Sequence, residues 1–215
     1  MKILCTDLEG TLAPEIWQEI ANKYQIEDLQ LTTREIPDFE DLMQKRLDVL
    51  SKNKISYNEL KLFLETIQPY DQAREFLASL AEQYQIVIVS DTFYELGLPV
   101  VKKLGDYPLL CHKLKIENDF IIGYKKRQEE PKRNVVKAFK IMNYECFCMG
   151  DSYNDIQMIE ESDGAFIFAP DEVKASRPDI ISFDNYNDLK KYLYPIHLLN
   201  QRKTPGSSGA LVGFT

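Results

Sequence analysis

The chain has 215 residues, 44% of them hydrophobic, which suits one domain with an insertion and a buried core. Its formal net charge is −8 and it holds no basic block, which argues against nucleic acid as the main partner but leaves an anionic small molecule open. No apolar run approaches the ~20 residues of a membrane span, and charged Asp7 comes too early for a signal peptide, so no membrane partner and a cytoplasmic location are expected.

The first element is a short buried strand over Ile3–Thr6. Directly after it stands Asp7-Leu8-Glu9-Gly10-Thr11, with a glycine where the chain must turn. Residues 14–69 then hold helical patterns (Pro14–Tyr24, Phe39–Leu50, Tyr57–Ile67) and no convincing strand, and read as a helical cap over the site. Alternation resumes with a helix over Tyr70–Gln83, a strand over Ile86–Ser90 and a helix over Glu95–Leu104. Leu109–Ile116 and Phe120–Lys126 read as a two-strand excursion turning at Glu117–Asp119. A helix over Pro131–Met142, a strand over Cys146–Met149, a helix over Asp155–Glu161, a strand over Ala165–Phe168 and a helix over Tyr186–Leu193 complete the pattern.

Near-continuous apolar strands alternating with helices predict an α/β core with a mostly parallel sheet flanked by helices. The expected core is 1–13 plus 70–195, with 14–69 as cap and 196–215 as a disordered Gly/Ser-rich tail. Cys5, Cys111, Cys146 and Cys148 lie in apolar, strand-like surroundings and read as buried free thiols, without zinc spacing. Oligomeric state is not legible.

Candidate chemistry sits just past predicted strands, where open α/β sheets bind ligands. Asp7 and Glu9 offer a nucleophile and a proton carrier. The hydroxyl and amides of Ser90-Asp91-Thr92 can hold phosphoryl oxygens, although these residue types also cap helices. Lys132, after Pro131, opens a helix against the dipole, which suits a shared anion; offset by Glu129 and Glu130 is the plainer alternative. Gly150-Asp151-Ser152-Tyr153-Asn154-Asp155 brings two acids to a strand end, where they can bind a hard divalent ion or cap the next helix. In the cap, Arg46 lies on the same helical face as Leu42 and Leu50, which calls for an anionic partner unless the side chain snorkels out.

Together these motifs resemble the haloacid dehalogenase superfamily in its phosphatase branch. Glu9 stands where the superfamily usually has a second Asp, which changes the reach of that group. Further stretches narrow the likeness: Pro14-Glu15-Ile16-Trp17, Thr33-Arg34-Glu35-Ile36-Pro37-Asp38, Ser90–Glu95 and Leu110-Cys111-His112-Lys113-Leu114. They are similar to phosphoserine phosphatases that also pass the phosphoryl group to homoserine. The resemblance implies Mg²⁺ held by Asp7, Asp151 and the Glu9 carbonyl. Asp7 would be the nucleophile and Glu9 the acid/base, with Ser90, Asp91 and Lys132 binding the phosphoryl group. Asp155 would support Lys132 or a metal-bound water, and Asn154 would contact substrate. Arg46 would bind the serine carboxylate and Glu15 its ammonium. A phosphatase of another small phosphomonoester, or a non-enzymatic phosphate sensor, are the alternatives.

Overall fold

The computed structural model describes residues 1–32 and 35–201. Seven strands form one sheet: β1 (Lys2–Thr6), β2 (Gln85–Phe93), β3 (Leu109–Glu117), β4 (Phe120–Lys125), β5 (Glu145–Gly150), β6 (Ala165–Ile167) and β7 (Ser182–Phe183). Their order is β4-β3-β2-β1-β5-β6-β7, and every neighbouring pair is parallel except β3 and β4. The helices are α1 (Ile16–Tyr24), α2 (Phe39–Lys52), α3 (Tyr57–Leu64), α4 (Ala73–Leu80), α5 (Tyr94–Leu104), α6 (Pro131–Ile141), α7 (Ile156–Glu160), α8 (Asp171–Ser176) and α9 (Tyr186–Gln201).

The apolar strands are buried on both faces because alternate side chains feed two cores. Leu4, Ile86, Ile88, Phe147 and Met149 pack to one side, with Leu77 of α4 and Leu96 of α5. Ile3, Cys5, Val87, Val89, Cys146 and Cys148 pack to the other, with Val135 and Val136 of α6. Cys5 and Cys148 are register partners on β1 and β5, and all four cysteines are free thiols.

Several boundaries moved. β2 runs on to Phe93, with an irregular register against β3 between Val89 and Phe93. Ser90-Asp91-Thr92 therefore lies in the frayed end of a strand, and the cap position of α5 is Phe93. α4 starts late because Gln72 is left-handed, with φ 68°. β6 stops at Ile167 because Phe168 is left-handed too, with φ 58°. α9 continues to Gln201, where the sequence reading ends the helix at Leu193 and begins a tail at 196. Thr33, Arg34 and residues 202–215, which hold part of one motif and most of that tail, lie outside the described residues.

Residues 14–69 contain α1, α2 and α3 and, among the described residues, no strand. α2 begins where the Asp38 carboxylate takes the amides of Glu40 and Asp41, a side-chain cap. It buries Leu42, Met43, Arg46, Val49 and Leu50. The start of α3 is tied to the β3–β4 turn, where Asp119 accepts from the Tyr57 amide (2.7 Å) and the Asn58 amide (2.9 Å). Past its end, Lys103 of α5 donates to the carbonyls of Glu65 and Ile67 at 2.6 Å each, which ties the chain leaving α3 to the core. Among the described residues, no helix is long and apolar enough to cross a membrane.

Candidate active site

A cavity of about 1030 Å³ opens over the carboxyl ends of β1, β2 and β5. Its floor is built around Lys132, only 4% exposed near the start of α6. The Lys132 Nζ lies 2.7 Å from Asp155 Oδ1, 3.1 Å from Asp7 Oδ1 and 3.7 Å from Asp91 Oδ2. Burial alone would lower its pKa, but these three carboxylates outweigh that and hold it well above the usual lysine range. Glu129 and Glu130 do not offset this lysine; they pair instead with Lys126 and Arg133.

Each acid of the floor is set by its backbone. The Asp7 amide donates to the Met149 carbonyl, which locks the end of β1 to β5. Asp155, fully buried, has both oxygens committed: Oδ1 to Lys132, and Oδ2 to the amides of Asp151 and Ser152 and the Ser152 hydroxyl. It supports the lysine and rigidifies the loop. Thr11 donates its hydroxyl to Asp151 Oδ1 at 3.1 Å. Gly10 is left-handed, with φ 74°, and a Cβ there would run into the Asp151 carboxylate, so the turn requires glycine. A Cβ on Gly150 would likewise collide with Asp155.

One oxygen from each of Asp7, Asp151 and Asp155 falls within 4.8 Å of the others. Burial and mutual repulsion, against the pull of one lysine, raise the Asp7 pKa well above the carboxylate range. The same causes push Asp151 up to about 7. Since the Asp155 oxygens are already used, Asp7 and Asp151 are the two floor carboxylates short of positive charge. Such a pair fits a hard divalent cation.

Above the floor stands a wall of different character. Glu9, half-buried, accepts the Ile16 amide at the start of α1 (2.7 Å). Burial and the charge of Glu15 raise its pKa to about 7, against the opposing effects of the Ile16 amide, Thr92 and Arg46. Arg46, 7% exposed, lies on the Trp17 ring, 4.6 Å from its centroid. It donates to the Leu31 carbonyl at 2.9 Å, while its buried Nε has no hydrogen-bond partner among the described residues. Burial lowers its pKa to about 10, with Glu9 and Glu15 resisting. It remains a cation at neutral pH, and it does not snorkel out.

The structure thus brings Asp7, Glu9, Glu15, Arg46, Ser90, Asp91, Lys132, Asp151 and Asn154 around one cavity, with Asp155 beneath its floor. Ser90 is buried and its hydroxyl accepts the Thr92 amide at 3.3 Å. Glu15 and Asn154 stand exposed at the rim. Sequence reasoning missed the partners that orient these groups: Thr11 for Asp151, Ser152 for Asp155 and Trp17 for Arg46. Trp17 and Ser152 lay inside stretches already noticed, and only a three-dimensional contact distinguishes them from their neighbours.

With this fold and site in view, a family profile described as haloacid dehalogenase-like hydrolase matches residues 1–163, and the chain belongs to that family of enzymes. Two curated relatives narrow the setting. Phosphoserine phosphatase ThrH of Pseudomonas aeruginosa is 43% identical over 193 residues, covering 89% of this chain and 94% of its own. A phosphoserine phosphatase of Pseudomonas syringae pv. tomato is 42% identical over 193 residues, covering 89% of this chain and 81% of its own. Among solved structures, a phospho-aspartyl intermediate analogue of phosphoserine phosphatase superposes with a TM-score of 0.74 at 21% identity, covering 89% of this chain and 98% of that one. A substrate-bound phosphoserine phosphatase gives 0.72 at 20%, covering 89% and 97%. At such identities these two structures speak to the fold.

Proposed function

We propose that this enzyme is a Mg²⁺-dependent phosphoserine phosphatase, converting O-phospho-L-serine and water to L-serine and phosphate, with residues 14–69 as its specificity cap. The observation that carries the reading is one cavity with two complementary ends. A buried Lys132–Asp7 pair lies on the floor, and an Arg46–Glu15 pair of opposite charges lines the wall. The floor suits a phosphoryl group, and the wall suits the carboxylate and ammonium of an amino acid.

In this reading Asp7 attacks phosphorus in line. The bond from phosphorus to the serine oxygen breaks as that to Asp7 forms. Glu9, with a pKa near neutrality, gives its proton to the departing oxygen and then takes one from the incoming water. That water attacks phosphorus, the bond to Asp7 breaks, and phosphate leaves. Lys132, anchored by Asp155, offsets phosphoryl charge together with the Ser90 hydroxyl and the amides around Asp91. Asp7, Asp151 and the Glu9 carbonyl would hold Mg²⁺, which supplies the positive charge that lets two anions meet. Asn154, at the rim, contacts substrate.

Homoserine keeps the ammonium and carboxylate of serine, so the same wall can hold it as an acceptor in place of water. Turnover of phosphoserine with Mg²⁺, with and without homoserine, following free phosphate and phosphohomoserine, tests both activities. Phosphate release from phosphoserine at enzymatic rates is expected. Turnover of other small phosphomonoesters in preference to phosphoserine would overturn the substrate assignment.

A further inference from the structure

His112 lies on β3, 3% exposed, where the irregular register sets it opposite Phe93 of β2. Its ring packs against Phe39 of the cap (centroids 5.7 Å apart) and Phe93 (6.0 Å). It also lines the active-site cavity. The ring is not merely a packed apolar surface, because both nitrogens face polar groups. Nδ1 accepts the Arg127 amide at 3.0 Å. A neutral ring with Nδ1 as acceptor carries its proton on Nε2. That Nε2–H faces Asp91 Oδ1 at 3.9 Å, just outside hydrogen-bond range, while the other oxygen of Asp91 faces the Lys132 Nζ at 3.7 Å.

Asp91 therefore stands between two donors, one for each oxygen, and its side chain is 31% exposed, with room to move. Resting on the phosphoryl-transfer reading above, we propose that His112 is a positioning residue that acts on Lys132 through Asp91. Its Nε2–H draws Asp91 Oδ1 and leaves Oδ2 aimed at the lysine. The reaction explains the need. Asp7 is one of the three anchors of Lys132, and it gives up its charged oxygen when it bonds to phosphorus. Lys132 must then follow the phosphoryl oxygens without losing its place. Asp155 holds it from beneath, and Asp91 holds it from the side only if Asp91 is itself held. Burial lowers the pKa of His112, so it stays a neutral donor and adds no second cation to compete with Lys132.

The test is a double-mutant cycle on an aryl phosphate, p-nitrophenyl phosphate, which uses the floor and makes no demand on the Arg46 wall. Loss of the hydrogen bond that Nε2–H makes once Asp91 moves onto it predicts that His112→Leu lowers kcat roughly ten- to a hundredfold. KM should change by no more than about twofold, and His112→Gln, which restores a donor near Nε2, should recover most of the loss. In an Asp91→Ala background, His112→Leu should cost about twofold or less, because the contact it serves is already gone. Equal losses in both backgrounds, or no recovery by Gln, would overturn the proposal. A second readout needs no turnover: ¹⁵N spectra of the two histidines, assigned by loss of signal in His112→Gln, should show His112 with its proton on Nε2. A proton on Nδ1 would contradict the geometry directly. An enzyme that cleaves the aryl phosphate and ignores phosphoserine would remove the substrate assignment while leaving this cycle readable.

Discussion

The floor and the wall of the cavity are held by different physics. On the floor, four carboxylates crowd one buried lysine, with Asp155 fixed by short, charge-assisted bonds to Lys132 and the Asp151 amide and Asp91 held more loosely at the edge. On the wall, one guanidinium rests on an indole ring, with a buried Nε–H that has no hydrogen-bond partner among the described residues. The floor holds more acids than its one lysine offsets; the wall sets one arginine beside the carboxylates of Glu9 and Glu15. In the proposed function that division puts the chemistry on the floor and the choice of substrate on the wall.

Variants can break the comparison, and the largest effect is expected on the floor. Asp7→Asn removes the proposed nucleophile and should lower kcat by about 10⁴-fold or more on every phosphomonoester. Phosphate release measured on both phosphoserine and p-nitrophenyl phosphate checks it, and near-normal turnover of either would end the assignment. Glu9→Gln should lower kcat by roughly 10²–10⁴-fold. The wild-type profile of kcat/KM against pH should bend near 7, where Glu9 titrates, and the variant should lose that bend.

The wall predicts a smaller and selective effect. Arg46→Ala should reduce kcat/KM for phosphoserine about a hundredfold, as loss of a buried charge-assisted contact implies, and for the aryl phosphate by about threefold or less. Equal losses on both substrates would dissolve the distinction between wall and floor.

The smallest effect is on stability. Asp151 and Glu9 ionise near 4 in an unfolded chain but near 7 in the fold. Between those values the folded protein keeps protons that the unfolded chain has released, so folding stability falls as pH rises through this window. The metal-free protein should therefore melt lower at pH 7.5 than at pH 5, by about 2–4 °C for each kcal/mol lost. Mg²⁺ should raise the melting temperature at pH 7.5 and do little at pH 5. The opposite pH trend in the metal-free protein would mean that Asp151 and Glu9 are not held protonated by the fold.

The floor was more legible in sequence than the wall for the same reason. Asp7, Lys132 and Asp151 each lie at or near the end of an apolar run or the start of a periodic one, so local pattern alone brings them to one edge of the sheet. Arg46 could be placed on a buried face by its spacing from Leu42 and Leu50, but its partner Trp17 lies on α1, and no local pattern reports a contact between two helices. The strand at Ser182–Phe183 is two residues long, too short to show a period. The left-handed turns at Gln72 and Phe168, at residue types that usually avoid them, truncated elements that the apolar pattern would extend.

The central claim is that Asp7 carries the phosphoryl group between donor and acceptor. Mixing the enzyme with ³²P-labelled phosphoserine and Mg²⁺, quenching in acid within milliseconds and mapping the label tests it most directly. The account predicts transient label on the peptide that contains Asp7, absent from Asp7→Asn and discharged faster when homoserine is added. Rapid phosphate release from phosphoserine with no label on that peptide, or label on another residue, would contradict it.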